Sequence, residues 1–248
     1  EQRTMNHSQP SLFETCPQIR LIRCLAKERR VAVYLAGGFL RDHFLGRPSA
    51  DLDFAVERNA VSFARRFARD LPGTFVLLDE AHDCARVVKR QRGRIQTFDF
   101  AAFRAPTLRA DLANRDFSVN ALALPIHDLP LDAGIEGHYL DYYGGRADLK
   151  ARRVRMTSPQ VFRQDPLRLL RAYSLQAVLG FQIERATQRQ IRQDAALLRA
   201  VSYERIRDEL FKILASPRAA VTLRALDRAG LLARVIPQIR VMYGVKQG

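Results

Sequence analysis

Residues Val31–Val56, with the sequence VAVYLAGGFLRDHFLGRPSADLDFAV, decide the expected fold of the first half of the chain. The short apolar run Val31–Ala36 predicts a strand, and Gly37-Gly38 closes it before a helix-like stretch. Asp51–Val56 alternates polar and apolar residues with a period of two, as a half-buried strand does. Strands mixed with helices in this order predict an α/β or α+β domain with one sheet.

More strands are predicted further along the first half. Ala60–Leu71 has helical periodicity, and three β-rich runs follow it at Thr74–Leu78, Cys84–Lys89 and Gln96–Ala101. Gln91–Arg94 has the composition of a hairpin turn, so the last two runs are predicted to pair.

The second half of the chain is predicted to be helical. From about Ser158 onward no strand is predicted, and arginines alternate with leucines and isoleucines at helical spacing, which gives basic outer faces. We therefore predict two domains, one over residues 1–157 and a helical one over residues 158–248. The predicted helices are Pro159–Gln164, Asp165–Leu179, Glu184–Leu198, Tyr203–Leu214 and Pro217–Ala229.

Composition and charge favour a folded protein with a polyanionic partner. The 248 residues include 41 Lys and Arg against 26 Asp and Glu, a net charge of +15, and 47% are hydrophobic, which excludes a disordered chain. Nucleic acid is the simplest such partner, and a basic, solvated surface is the alternative. No apolar run approaches the roughly 18 residues of a membrane span, so no membrane partner is expected. The three cysteines form no CxxC pair, which fits a cytoplasmic protein.

Carboxylates on the predicted strands indicate the chemistry. Asp51 and Asp53 are two residues apart and point to the same face of a strand, where their oxygens suit Mg²⁺ that also binds phosphates. Asp99 would add a third carboxylate if its strand is a neighbour, which makes a two-metal site for phosphoryl transfer. The glycines of the turn, Gly37 and Gly38, would let backbone N–H groups approach a triphosphate. The alternative for each aspartate is a solvated position on a strand.

Five sequence blocks occur in order between residues 31 and 214. The first is AGGFLRD followed by DLDFAV. The others are NRDFSVNALA at 114–123, LDYYGGRADL at 140–149, QDPLRLLRA at 164–172 and RIRDEL at 205–210. Together they resemble the blocks of class II tRNA nucleotidyltransferases (CCA-, CC- or A-adding) and bacterial poly(A) polymerases, a family of the DNA-polymerase-beta-like superfamily.

This resemblance implies an α+β fold, with a polymerase-beta-like nucleotidyltransferase head of mixed sheet and flanking helices, followed by an all-helical neck. The implied reaction is the transfer of C and/or A from CTP or ATP to the 3′-hydroxyl of tRNA or another RNA, with release of pyrophosphate. Asp51 and Asp53 would hold Mg²⁺ in a two-metal site, and Asp99 would help to activate the attacking hydroxyl.

The resemblance also implies how the nucleotide is bound. Arg41 would hold the triphosphate while Asp42 supports the glycine turn, and Asp116 would accept a hydrogen bond from the ribose 2′-hydroxyl. The implied nucleotide-binding residues are Gly37, Gly38, Arg41, Arg115, Asp116, Asn120, Asp165, Arg168 and Arg171.

The base would be selected by Asp165 and Arg168, which are predicted to be neighbours on one helix face because they are three residues apart. A carboxylate accepts from the exocyclic amine of cytosine or adenine, whereas guanine and uracil present a carbonyl there. The alternative is that Asp165 only begins a helix at the following proline. Gln164 and Ser174 depart from the Glu and Arg of the family, and we hypothesise that they replace an ion pair in a specialist enzyme.

Three other functions remain open at the level of the sequence. A poly(A) polymerase shares every block, a non-catalytic RNA-binding protein could retain the fold, and a small-molecule nucleotidyltransferase would need neither basic helices nor Asp165 and Arg168. Whether C, A or both are added is also open. Relatives usually continue beyond the point that corresponds to Gly248, so the sequence is expected to be a fragment.

Overall fold

The computed structural model describes Leu12 and residues 16–91, 93–130 and 134–245. The chain divides into two compact units. One unit contains the residues up to Leu112 together with Asn120–Tyr142, and the other contains Ala113–Val119 and the residues from Tyr143 onward. The predicted domain division at residue 157 stays a prediction.

The first unit contains a seven-stranded mixed sheet, as predicted. Its strands are β1 (Val33–Ala36), β2 (Asp51–Val56), β3 (Thr74–Asp79), β4 (Cys84–Gln91), β5 (Arg94–Ala102), β6 (Leu122–Pro125) and β7 (Leu140–Asp141). They lie in the order β3-β4-β5-β2-β1-β6-β7. The β2–β5 pair is parallel and every other neighbouring pair is antiparallel. The helices in this part of the chain are α1 (Gln18–Arg29), α2 (Gly38–Phe44), α3 (Ala60–Asp70) and α4 (Leu108–Ala113).

One face of this sheet is covered by aromatic packing. Five phenylalanines of β2, β5 and α3 are almost fully buried there: Phe54, Phe63, Phe67, Phe98 and Phe100. The rings of Phe54 and Phe100 stack with their centroids 5.1 Å apart. Because successive strand residues point to opposite faces, this packing leaves the aspartates of β2 and β5 on the other face.

The strand predictions hold for β1 to β5, and the predicted hairpin is confirmed because Gln91 pairs with Arg94. Two strands of this unit were missed. β6 reads LALP, a continuous apolar run with no alternation, because its first three residues are buried. β7 has only two residues, which is too short to give a periodic signal.

The second unit is mainly helical, which confirms the predicted fold class. Its helices are α5 (Gly145–Lys150), α6 (Val161–Gln164), α7 (Arg168–Leu179), α8 (Arg185–Asp194), α9 (Tyr203–Leu214), α10 (Ala219–Arg228) and α11 (Leu232–Val235). Among the described residues, short 3₁₀ helices lie at Ser118–Asn120, Ala195–Ala200 and Pro237–Met242.

Three details of the second unit correct the predictions. A two-residue strand, β9 (Gln182–Ile183), pairs in parallel with β8 (Arg153–Val154), where no strand was predicted. The helix predicted for Glu184–Leu198 ends at Asp194 and continues as a 3₁₀ helix. The helix predicted from Asp165 begins at Arg168 instead, because Asp165 has an extended backbone.

Tyr173 of α7 is buried, and its burial predicts that the stability of the fold depends on pH in the alkaline range. It is 4% exposed, and this burial raises its pKa to about 12. An unfolded tyrosine has a pKa near 10, so between about pH 10 and 12 only the unfolded chain releases the proton. The contribution of Tyr173 to the free energy of unfolding is therefore fully present below about pH 10. This contribution, about 2–3 kcal/mol, is lost as the pH rises through 12.

We expect Tyr173→Phe to flatten the alkaline loss of stability, measured by urea unfolding at pH 9 to 11.5. Tyr203→Phe is the matched control, because Tyr203 is 83% exposed. Identical pH profiles for wild type and Tyr173→Phe would contradict the assignment.

Among the described residues, no helix has the length and apolar character needed to cross a membrane.

Candidate active site

A row of charged side chains crosses the face of the sheet that lies opposite the buried phenylalanines. Asp53 on β2 pairs in register with Asp99 on β5, and Asp99 pairs in turn with Arg86 on β4. Asp51 lies on the same face as Asp53 and is in register with Thr97. The predicted proximity of Asp51, Asp53 and Asp99 is thus explained by a parallel pair of neighbouring strands.

Asp99 is bound by Arg86. The Nε of Arg86 donates to one carboxylate oxygen of Asp99 at 2.7 Å, and a terminal nitrogen of the same guanidinium donates to the other at 2.7 Å. The pKa of Arg86 is raised by this hydrogen bonding and by the charge of Asp99, with the charges of Asp51 and Asp53 adding to the effect against partial desolvation. Arg86 is therefore a counter-charge for all three carboxylates.

The donors on this face suit a hard divalent cation. Asp51 and Asp53 present carboxylates on one face, which is the chemistry of a Mg²⁺ site completed by water and phosphate. Asp51 also accepts a hydrogen bond from the hydroxyl of Thr97. Within the described ranges, no group of three or more His, Cys, Asp or Glu side chains is arranged to hold a metal, and Asp99 is bound to Arg86 instead.

The glycine turn follows β1, whose last residue pairs with Asp53. Gly37 has a φ of 74°, a conformation that residues with a side chain rarely adopt. At Gly38 an added Cβ would come within 3.2 Å of a guanidinium nitrogen of Arg41. The turn therefore needs glycine at the first position and leaves little space at the second.

Arg41 is held in place by two neighbours. Asp42 accepts from its Nε at 3.0 Å and from a terminal nitrogen at 2.8 Å, and Asn120 accepts from the other terminal nitrogen at 2.8 Å. The carboxylate of Asp42 thus binds Arg41, whereas the sequence suggested that it supports the turn. Asn120 is a hydrogen-bond partner of Arg41, and its contact with the nucleotide stays a prediction.

In the second unit, the buried Asp116 forms an ion pair with Arg171, whose side chain is 40% exposed. Asp116 is 6% exposed, and its carboxylate accepts from the Nε of Arg171 at 2.9 Å and from the backbone N–H of Phe117 at 2.8 Å. Arg171 also lies 4.0 Å from Glu209. The charge of Asp116, with smaller contributions from Glu209 and Asp165, raises the pKa of Arg171 against the opposing effect of burial.

Asp165 and Arg168 are not neighbours on one helix face, which corrects the prediction. Asp165 precedes the helix and accepts from the backbone N–H of Leu167 at 3.2 Å, so it caps the turn before α7. Its carboxylate binds Arg205 of α9 at 3.0 and 3.2 Å. Arg168 donates instead to the carbonyl of Val161 at 3.3 Å.

The two departures from the family pattern have separate partners. Gln164 donates to Asn114 at 3.0 Å, whereas Ser174 donates to the buried carboxylate of Glu209 at 2.5 Å. Lys212 also binds Glu209, at 2.7 Å. Gln164 and Ser174 thus have different partners here, and the hypothesis that they replace one ion pair of the family stays a hypothesis.

Arg115 of the second unit has a buried Nε with no hydrogen-bond partner among the described residues. A buried donor without an acceptor costs free energy, which a ligand acceptor can recover. Arg23 and Arg234 share this feature, so it does not single out Arg115.

Sequence reasoning missed Arg86, Thr97 and the contacts of Glu209. Arg86 and Thr97 carry no motif, and only their strand registers bring them to Asp99 and Asp51. The predicted hairpin could have identified Arg86 as the partner of Asp99. Because Gln91 pairs with Arg94, Arg86, five residues before Gln91, lies opposite Asp99, five residues after Arg94.

Known proteins resemble this chain over most of its length. A family model described as the poly A polymerase head domain matches residues 33–155, and one described as a probable RNA- and SrmB-binding site of polymerase A matches residues 180–242. The CC-adding tRNA nucleotidyltransferase of Geobacter sulfurreducens is 39% identical over 90% of this chain and 50% of its own length. The A-adding tRNA nucleotidyltransferase of Deinococcus radiodurans is 40% identical over 86% of this chain and 47% of its own.

Among solved structures, the Thermotoga maritima CCA-adding enzyme complexed with tRNA superposes with a TM-score of 0.80 and 31% identity, over 93% of this chain and 54% of that one. The chain spans about half the length of the curated relatives it matches. The family model over residues 33–155 identifies the part of the chain that contains the mixed sheet as a poly A polymerase head domain. The chain belongs to the family of tRNA nucleotidyltransferases and poly(A) polymerases that share this head.

Proposed function

We propose that this chain contains the catalytic part of an enzyme that adds C and/or A, from CTP or ATP, to the 3′ end of tRNA. The observation that carries the proposal is the strand register that puts Asp53 beside Asp99, with Asp51 on the same face. The named activities of the relatives at 39% and 40% identity support it.

In the proposed reaction, the 3′-oxygen of the RNA attacks the α-phosphorus of the nucleotide. A new phosphodiester bond forms, the bond between the α-phosphorus and the bridging oxygen breaks, and pyrophosphate leaves with that electron pair. Asp99 would accept the proton of the hydroxyl. Asp51 and Asp53 would hold Mg²⁺, which when bound would neutralise charge on the phosphates and the attacking oxygen.

Binding of the triphosphate is assigned to the turn after β1. The backbone N–H groups of Gly37 and Gly38 would donate to phosphate oxygens, since no side chain blocks their approach there. Arg41, which Asp42 and Asn120 hold at fixed distances, would supply a guanidinium to the same phosphates.

Binding of the sugar and base is assigned to the second unit. Asp116 would accept from the ribose 2′-hydroxyl while Arg171 orients its carboxylate. Arg115 would satisfy its buried Nε on the nucleotide. Asp165, braced by Arg205, would accept from the amine of cytosine or adenine, and Arg168 would donate to the same base edge.

The partner RNA would bind mainly through its phosphates. The net charge of +15 and the RNA-binding family model over residues 180–242 support this assignment. Binding through phosphates predicts a steep loss of affinity with added salt. A role in tRNA processing would place the protein in the cytoplasm.

The experiment that tests the function offers CTP, ATP, GTP and UTP singly to three RNAs in Mg²⁺. The RNAs are tRNA that ends before CCA, tRNA that ends in CC, and an unstructured oligonucleotide. We expect a defined addition of C or A to one or both tRNAs, which would also identify the accepted end. The double variant Asp51→Ala/Asp53→Ala should add nothing.

The alternatives give different products in the same assay. Long A tails on every RNA would identify a poly(A) polymerase, which the head-domain match also fits. Binding of the RNAs without any addition would favour a non-catalytic RNA-binding protein, and addition to none with no binding would contradict both.

A further inference from the structure

The pairing of Arg86 with Asp99 has a consequence for the cation site. Arg86 covers both carboxylate oxygens of Asp99 at 2.7 Å, and its side chain is 42% exposed. A carboxylate bound on both oxygens by a planar guanidinium has its favoured ligand directions occupied. While the pair persists, Arg86 therefore blocks the positions around Asp99 at which a metal ion would bind.

The register keeps Arg86 at this position. Arg86 lies opposite Asp99 on one side and opposite Val76 of the edge strand β3 on the other. Val76 offers no acceptor, so the carboxylates of β5 and β2 are the acidic partners on this face within reach of its charge. The guanidinium is thus directed along the row toward the proposed cation site.

Deprotonation does not release this pair. An arginine stays charged at every pH that a protein tolerates, so loss of its proton does not open the pair. A competing cation would open it. Arg86 and a divalent metal ion are attracted by the same three carboxylates.

We propose that Arg86 is a positioning residue that competes with the metal ion for Asp99. Arg86 neutralises Asp99 before metal binds and is displaced from that carboxylate when metal binds. This inference rests on the proposed function, because it assumes that Asp51 and Asp53 are the site of the metal. It assigns a role in metal loading to a residue outside the sequence blocks.

The test measures Mn²⁺ binding to the 248-residue chain by the electron paramagnetic resonance signal of the free ion. Replacing Arg86 by an uncharged residue, in Arg86→Gln, should tighten Mn²⁺ binding about fivefold, the size expected for losing a half-exposed ion pair. Arg86→Lys keeps a cation at the same position and should return the affinity to within about twofold of wild type.

Arg90→Gln is the matched control. Arg90 lies on the same strand and on the same face as Arg86, but it pairs with Ile95 rather than with an aspartate. This variant removes the same charge and should leave Mn²⁺ binding unchanged. An equal gain in Arg90→Gln, or no gain in Arg86→Gln, would overturn the inference.

One further variant separates this inference from the proposed function. Asp53→Asn should abolish the Mn²⁺ binding that Arg86→Gln strengthens. If Mn²⁺ binding is unaffected by Asp53→Asn, then the metal does not bind at these carboxylates, and the metal part of the proposed function fails together with the inference. If Asp53→Asn abolishes binding and Arg86→Gln has no effect, only the inference fails.

Discussion

Asp53→Asn is expected to lower the rate of nucleotide addition by about 10³-fold or more. Asp53 is the carboxylate in direct register with Asp99 and two residues from Asp51, so it is central to the row. An amide is nearly the same size but has no negative charge, so it would remove charge stabilisation worth several kcal/mol at the phosphates. The measurement is the rate of single-nucleotide addition to tRNA under saturating nucleotide.

Asp70→Asn is the matched control for this prediction. Asp70 ends α3 and pairs at the surface with Arg66 at 2.8 Å, so its substitution removes one carboxylate away from the row. Its addition rate should stay within about twofold of wild type, because surface ion pairs contribute little. A rate for Asp53→Asn above a tenth of wild type, with an intact fold by circular dichroism, would remove Asp53 from the catalytic role.

Phe100→Ala is expected to have the largest effect on stability, a loss of about 3–5 kcal/mol of unfolding free energy. The Phe100 side chain is 1% exposed. Its ring centroid lies 5.1 Å from that of Phe54, 5.5 Å from that of Phe63 and 5.4 Å from that of Phe67. Truncation removes the ring at the centre of this cluster and leaves a cavity that three aromatic neighbours cannot fill without moving.

The measurement is urea unfolding followed by far-ultraviolet circular dichroism. Phe211→Ala serves as the control, because Phe211 lies on α9 with 58% of its surface exposed and should change the free energy by no more than about 0.5 kcal/mol. Equal stabilities for Phe100→Ala and Phe211→Ala would show that the aromatic cluster does not hold α3 on the sheet.

Several structural features could be predicted because they depend on short stretches of chain. The period of two in DLDFAV identified β2 and put Asp51 and Asp53 on one face. The turn at Gln91–Arg94 fixed the pairing of β4 and β5. The five blocks led to the family that the comparisons support.

Other features were missed because their signals lie far apart in the sequence. The parallel pairing of β2 with β5 joins residues more than forty positions apart, and no local pattern specifies which strands become neighbours. Asp165 was placed on a helix because its spacing to Arg168 fits one, although the proline that follows it favours the extended backbone observed. Its bond to Arg205, forty residues away, depends on where α9 packs.

The sequence by itself identified the candidate catalytic and binding residues, the glycine turn and the alternation that puts two aspartates on one face. These features follow from local periodicity and from the conformational freedom of glycine, which act within a few residues. Only the tertiary structure decided which cation Asp99 binds and which carboxylate holds Arg171. Strand register puts Arg86 opposite Asp99, and the burial of Asp116 makes a cationic partner necessary, which the fold supplies as Arg171.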